Sequence, residues 1–321
     1  MRDVPKVELH LHLEGAAPPD FIRGLAAEQG ANLAGVFDDR GGYAWKDFTG
    51  FLRCYEAATS VLRGPEEFRR LTQAVLERSA EQGVIYTEAF LSPDFCGGRD
   101  LSAWRDHLAA IEAGAAAVPE VEMRGIVTCI RHLGPDAARE TARCAAETAG
   151  GFVTGFGMGG DERMGAQGDF AWAFDCAREA GLGLTTHAGE FGGPESVRQA
   201  LDDLRVTRIG HGVRAAEDEA LVDRLAEDGV VLEVCPGSNV ALGLYPRIDR
   251  HPIERLRERG VAVTVSTDDP PFFRTDMTRE YEALNAAFGW DEDAFAEANR
   301  TALRAAFCDD DTRRRLLDRL E

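Results

Sequence analysis

The sequence predicts a (β/α)8 TIM barrel with extra helices after the first strand and at the C-terminus. Three observations predict it. Eight short β-type runs alternate with longer helical patterns from end to end. No domain-sized linker breaks the alternation, so residues 1–321 read as one domain. Four of the seven histidines fall at strand ends, where such a barrel carries its chemistry. An open doubly wound sheet fits less well, because no G-x-G-x-x-G turn follows the first strand.

The first strand, 7–13, reads VELHLHL and alternates strictly. Side chains in a strand change face at every residue, so Leu9, Leu11 and Leu13 should meet outer helices. Glu8, His10, His12 and Glu14 should then point into the barrel. Residues 14–64 exceed the minimal plan and hold about two extra helices. Within them Phe48, Phe51, Leu52 and Tyr55 recur at helical spacing, either as core or as an apolar lid over the first strand. Pro65 opens a helix over 65–81, with Gly83 past its end, and the second strand follows at 83–91.

The third strand is 123–130, and Pro135 opens the helix 135–148, closed by Gly150 and Gly151. The fourth is 152–158. The fifth, 183–188, ends in His187-Ala188-Gly189-Glu190, and Pro194 opens a helix over 194–204. The sixth, 207–210, runs into His211, and the seventh is 230–235. Pro252 opens 252–259, and the eighth strand, 261–267, leads into Asp268-Asp269-Pro270. On it Thr264, Ser266 and Asp268 share the inward parity. The stretch 276–321 reads as helical and is expected outside the barrel.

Composition narrows the function. With 56 acids against 36 bases the formal charge is −20, which repels phosphate backbones and anionic lipid. No nucleic acid or membrane partner is expected; a small neutral ligand is. Seven cysteines without a C-x-x-C pair read as reduced thiols, the N-terminus is too polar for a signal peptide, and no long apolar run occurs. A cytoplasmic protein is expected. The pattern leaves oligomeric state open.

Three imidazoles and one carboxylate at strand ends suit Zn²⁺, one ion per chain, with water completing the shell. Competing chemistries fail specific tests. Lys6 and Lys46 are the only lysines, so neither a modified bridging lysine nor a late-strand Schiff-base lysine is available. P-C-x-x-C, G-x-S-x-G and Walker A are absent. Of the other polar residues, His132 reads as a structural hydrogen-bonding group ahead of a pocket-lining one, His107 and His251 as solvated, and Asn239 as a brace for the rim loop.

These residues resemble the adenosine deaminase family of the amidohydrolase superfamily. The resemblance rests on PKVELHLHLEGA (5–16), GMGGDE (157–162), TTHAGE (185–190), RIGHG (208–212), EVCPGSN (233–239) and VSTDDPPFF (265–273). It implies a metal held by His10, His12, His187 and Asp268. It implies that Glu190 contacts the purine N1, that His211 sits beside the water, that Asp269 meets N7, and that Gly160 lets its backbone approach N3. Glu14 stands where some nucleoside-specific members carry an aspartate that meets the ribose 5′-hydroxyl.

The chemistry expected from this resemblance is hydrolytic deamination at C6. The metal lowers water's pKa from about 15.7 to about 7, His211 and Asp268 orient the hydroxide, His211 takes its proton, and protonated Glu190 gives one to N1. Adenosine is the favoured substrate, with 2′-deoxyadenosine beside it. The favour rests on Gly-Asp-Glu at 160–162 and RIGHG at 208–212, where adenine-specific members tend toward other residues. Free adenine, a 5′-modified adenosine such as aminodeoxyfutalosine, and a non-catalytic purine-binding barrel are the alternatives.

Overall fold

A computed structural model describes residues 1–2 and 4–320. Glu321, the last residue of the stretch read as helical, lies outside the described residues, as does Asp3.

Eight parallel strands in the order β1 to β8 form the barrel. They are β1 (Lys6–His12), β2 (Val84–Leu91), β3 (Glu122–Ile130), β4 (Val153–Gly159), β5 (Gly183–Ala188), β6 (Arg208–His211), β7 (Val231–Val234) and β8 (Ala262–Val265). Each predicted strand is present, with ends displaced by at most two residues. The extra helices before β2 are α1 (Pro19–Gln29) and α2 (Phe48–Thr59), and α3 (Pro65–Glu81) follows them. Around the barrel run α4 (Leu101–Ala116), α5 (Gly134–Thr148), α6 (Ala171–Glu179), α7 (Pro194–Gln199) and α8 (Glu219–Glu227). Two short rim helices, α9 (Pro236–Ala241) and α11 (Pro270–Phe273), flank α10 (Ile253–Glu258). The chain ends in α12 (Met277–Phe288), α13 (Glu292–Ala305) and α14 (Asp310–Leu317).

The seam between β8 and β1 closes in two ways. At the top, backbone bonds join the strands: His12 N–H donates to the Asp268 carbonyl at 3.0 Å, and Asp268 N–H to that of His10 at 3.1 Å. Lower down, side chains stand in for the ladder. Asn299 of α13 accepts from Val7 N–H and donates to the Pro5 carbonyl, each at 2.9 Å, and Leu9 N–H donates to Ser266 Oγ at 3.3 Å. Backbone groups must find partners, and here the amide of Asn299 supplies them.

This seam corrects the parity expected of β1. Glu8 pairs with Thr87 but Leu11 with Ala89, so β1 carries one extra residue between them. Such a bulge reverses the alternation. Glu8 therefore faces outward with Leu11, toward α3, and its carboxylate accepts from Thr267 N–H at 3.0 Å and from the Thr267 hydroxyl. His10 and His12, beyond the bulge, do face inward.

The C-terminal segment also departs from expectation, for it does not stay wholly outside. Phe307, just after α13, enters the barrel floor. A Cβ on Gly183 or Gly155, inward positions of β5 and β4, would lie 2.2 or 2.8 Å from its ring. The Arg208 guanidinium lies 3.7 Å from the ring centre. All seven cysteines are unpaired, and six are buried. Among the described residues no helix is long and apolar enough to cross a membrane.

Candidate active site

The carboxyl ends of the strands open into a cavity of about 560 Å³, within the range of small-molecule sites. His12, His187, Glu190, His211, Asp268, Asp269, Glu14 and Gly160 all line it. Phe48, Phe51, Leu52 and Tyr55 of α2 form part of its wall, and the Phe48 ring packs 4.5 Å from that of Phe191. The apolar helix after β1 thus covers the mouth. A second cavity of about 430 Å³ lies between α3 and the strands around Glu8; none of the histidines reaches it.

At the cavity floor, ligand atoms of His10, His12, His187 and Asp268 lie within 4.8 Å of one another. Asp268 Oδ1 is 3.3 Å from His12 Nε2 and 3.5 Å from His10 Nε2, and the Nε2 atoms of His12 and His187 are 3.2 Å apart. This donor set fits a metal ion. His10 Nε2 is buried with no hydrogen-bond partner, and its other nitrogen donates to Glu233 Oε2 at 2.8 Å. That bond fixes the tautomer, so the Nε2 lone pair points at the cluster, the arrangement of carboxylate–histidine–metal sites. Burial lowers the basicity of His10, but Asp268 and Glu233 more than offset it and raise the pKa to about 9. The field there favours a positive charge.

Glu233 was not singled out from the sequence, although a carboxylate within VVLEV, on an inward face, was a readable signal. It joins His10 to the barrel interior: Arg208 Nε donates to its Oε1 at 2.6 Å, and Thr185 Oγ1 at 2.9 Å. Burial opposes its charge, yet Arg208 and then His10 hold it down to about 2. Gly210 makes room for the cluster, since a Cβ there would sit 2.7 Å from His10 Cε1.

Two site residues adopt left-handed backbone without being glycine: His211 at φ 60° and Asp268 at φ 68°. Such conformations cost about 1–3 kcal/mol each and persist where the surroundings over-determine them. Asp268 is held by the seam bonds and by the Ser238 hydroxyl, which donates to Oδ2 at 2.7 Å. Burial works against its charge, but the close imidazoles of His10 and His12 and the facing His211 keep it well below the usual carboxylate range.

Glu190 is the opposite case. It is buried, its Oε1 has no hydrogen-bond partner, and it lies 3.7 Å from His211 Nε2. Burial, then the charges of Asp268 and Glu162, push its pKa well up. Asp269 is raised likewise by burial and by Asp268, Glu190 and Glu14. It packs on Gly15, where a Cβ would fall 1.6 Å from Oδ1. Burial raises Glu14 to about 7, and its Oε1 also lacks a partner. Gly160 sits in the wall at φ +95°, a conformation open to glycine.

Other residues had gone unrecognised. Glu162 accepts hydrogen bonds from the N–H groups of Gly189, Glu190, Phe191 and Gly192 and from the Ser196 hydroxyl, at 2.6–3.0 Å. It anchors the loop that carries Glu190. His251, expected to be solvated, is buried beneath Tyr245 and bonds Asn239, which in turn bonds His211. His107 is also buried, bonded to the Ala103 carbonyl. His132 is exposed and stands at the cavity rim.

Comparison with known proteins agrees with this arrangement. The sequence model of the family described as adenosine deaminase matches residues 5–321. A protein of Rhizobium leguminosarum bv. trifolii named adenine deaminase is 48% identical over 320 residues, covering 98% of each chain. The crystal structure of adenine deaminase from Arthrobacter aurescens superposes with a TM-score of 0.90 at 31% identity, covering 99% of this chain and 98% of that one. An amidohydrolase from Burkholderia ambifaria, solved with bound Zn, gives 0.86 at 28% identity, covering 99% and 92%.

Proposed function

The chain belongs to the adenosine deaminase family and is a hydrolytic deaminase, and from that premise we propose that its substrate is free adenine, converted to hypoxanthine and ammonia. The observation that carries the choice of base over nucleoside is the near-half identity, along almost the whole chain, to relatives named adenine deaminase. This replaces the adenosine preference expected from Gly-Asp-Glu at 160–162 and RIGHG at 208–212. Glu162 faces the Glu190 loop and Gly210 faces the metal ligands, so neither of these two reads the ribose side of the pocket.

The pocket's acids suit the edge of the free base. Adenine with its proton on N9 offers an N–H there and an acceptor at N7. Asp269, held protonated, is a donor for N7. Glu14, a buried carboxyl with a free oxygen, is an acceptor for N9–H. A nucleoside lacks that N–H and sets its ribose against Glu14 in its place. Gly160, in the cavity wall, is our assignment for the backbone that approaches N3.

A divalent metal held by His10, His12, His187 and Asp268, for which Zn²⁺ is our assignment, supplies acidity that lets water ionise near neutral pH. The chain's own groups do the rest. Glu190 holds its proton against N1 and releases it as oxygen adds to C6, so the electron pair displaced onto N1 is neutralised. Asp268 is ionised when the substrate binds and faces the same reacting oxygen. The covering helix α2 excludes bulk water.

Ammonia release from adenine and from adenosine, measured side by side on zinc-loaded protein, tests the reading. A kcat/KM for adenine about 10²-fold or more above that for adenosine is expected, since a site built to hydrogen-bond N9–H loses that bond with a nucleoside. Turnover of adenosine alone would overturn the base assignment, and turnover of neither would overturn the proposal.

A further inference from the structure

The polarity of a buried hydrogen-bond chain behind His211 can be assigned from one fixed donor. Ile253 N–H, at the start of α10, points at His251 Nδ1 at 3.2 Å. A backbone N–H only donates, so this nitrogen must be the bare one. The proton of the neutral His251 ring is then on Nε2, which donates to Asn239 Oδ1 at 3.0 Å. With its oxygen so engaged, the Asn239 amide turns its NH2 toward His211 Nδ1, 3.2 Å away. His211 Nδ1 therefore accepts, and the ring's proton must sit on Nε2. All three side chains are buried, so no bulk solvent competes for these positions. Burial also pushes His251 down to about 3, which keeps it neutral.

We propose that Asn239 and His251 are positioning residues that lock His211 in the Nε2–H form, making it a hydrogen-bond donor toward the oxygen that adds to C6, and not the base that deprotonates it. His211 Nε2 lies 3.7 Å from Glu190 Oε1 and 3.9 Å from Asp268 Oδ2, too far for direct hydrogen bonds and spaced for one oxygen atom between them. The donor role reverses the proton transfer expected of His211 from the sequence. The water's proton passes instead to Asp268, the ionised carboxylate facing the same space, 3.9 Å from His211 Nε2. Asn239 is thus more than a loop brace: α9 brings it between two histidines that are 40 residues apart in sequence. The kinetic part of this inference rests on the deaminase reading; the proton position does not.

The test is ¹⁵N spectroscopy of the zinc-loaded protein carrying ¹⁵N-histidine, with seven histidines to assign. The protonated and bare ring nitrogens resonate far apart. Wild-type His211 should show its proton on Nε2. Asn239→Asp, which keeps the shape but offers only acceptors, should move that proton to Nδ1 and lower kcat roughly 10²-fold with KM changed by less than about threefold. His251→Gln, which retains a donor toward Asn239, should keep the wild-type ring pattern, whereas His251→Leu should lose it. A wild-type proton on Nδ1, or an Asn239→Asp spectrum identical to wild type, would overturn the tautomer lock. A moved proton with unchanged kcat would overturn the donor role. If the protein turned over no purine, the spectra would still decide the lock.

Discussion

Glu162→Gln is the most informative single substitution outside the metal cluster. The carboxylate uses Oε2 for three backbone donors, those of Glu190, Phe191 and Gly192, and Oε1 for Gly189 N–H and the Ser196 hydroxyl. The least costly seating of glutamine puts its oxygen at the Oε2 position and its NH2 at the other. Ser196 then rotates to accept, but Gly189 N–H meets a donor. One buried N–H is lost at about 1–3 kcal/mol, and three charge-assisted bonds become neutral ones at about 1 kcal/mol each. The sum is about 4–6 kcal/mol, comparable to the whole stability of a small domain, so the Glu190 loop should loosen before the barrel unfolds.

Two readouts follow. Amide exchange at 189–192 should accelerate, and kcat should fall about 10²-fold, as for a misplaced catalytic group. The pH profile carries a sign. Glu190 works as an acid while protonated, so activity falls as pH rises through its pKa. Glu162's charge helps raise that pKa, so its removal should move the alkaline limb to lower pH. Wild-type kcat with unchanged exchange would refute the anchoring role.

Glu190→Gln should retain metal and bind adenine but turn it over roughly 10²–10⁴-fold more slowly, in a single-turnover assay; near-wild-type rate would remove it as the acid. His10→Ala should purify without stoichiometric metal by elemental analysis, and dialysis of the wild type against a chelator should lower Tm, since a ligand of the folded state stabilises it. Glu280→Gln concerns stability alone. Burial raises the Glu280 pKa from 4.5 to about 7 despite bonds from Thr275 and Gly237. Between those values the folded chain keeps the proton and the unfolded chain has lost it, so stability falls as pH rises from about 4.5 to about 7. At 1.36 kcal/mol per pH unit that loss is about 3 kcal/mol. Glutamine can make both bonds without the titration, so the variant should be more stable than wild type at pH 8 in urea melts and no different near pH 4.

The barrel was legible because its signals are local: alternation within strands, prolines opening helices, and reactive residues at strand ends. His10, His12, His187 and Asp268 came together for that reason. The errors arose where distant chain decides. The bulge that turns Glu8 outward follows from closing β1 onto β8, a contact between opposite ends of the sequence. His251 stands just before a helix and reads as solvated until Tyr245 and Asn239 cover it. Phe307 enters the floor because Gly155 and Gly183 leave a hollow there. Glu233 is the exception, a charge inside an apolar strand that its own neighbours betray. Base against nucleoside was not legible at all, because it is decided across a cavity and not within a motif.

The chemistry requires two carboxyls a few ångströms apart to differ in protonation, and the backbone explains how they do. Asp268 emerges from β8 at a left-handed residue that turns it into three imidazoles and a serine hydroxyl, all able to stabilise its charge. Glu190 emerges from β5 into a loop whose amides at 189–192 could have done the same for its own carboxylate, as consecutive N–H groups do for anions. Glu162 already takes all four. It thereby holds the loop, adds a negative charge nearby, and denies Glu190 the donors that would let it ionise. On the proposed mechanism, the proton needed at N1 is kept on Glu190 by what a third carboxylate has taken away.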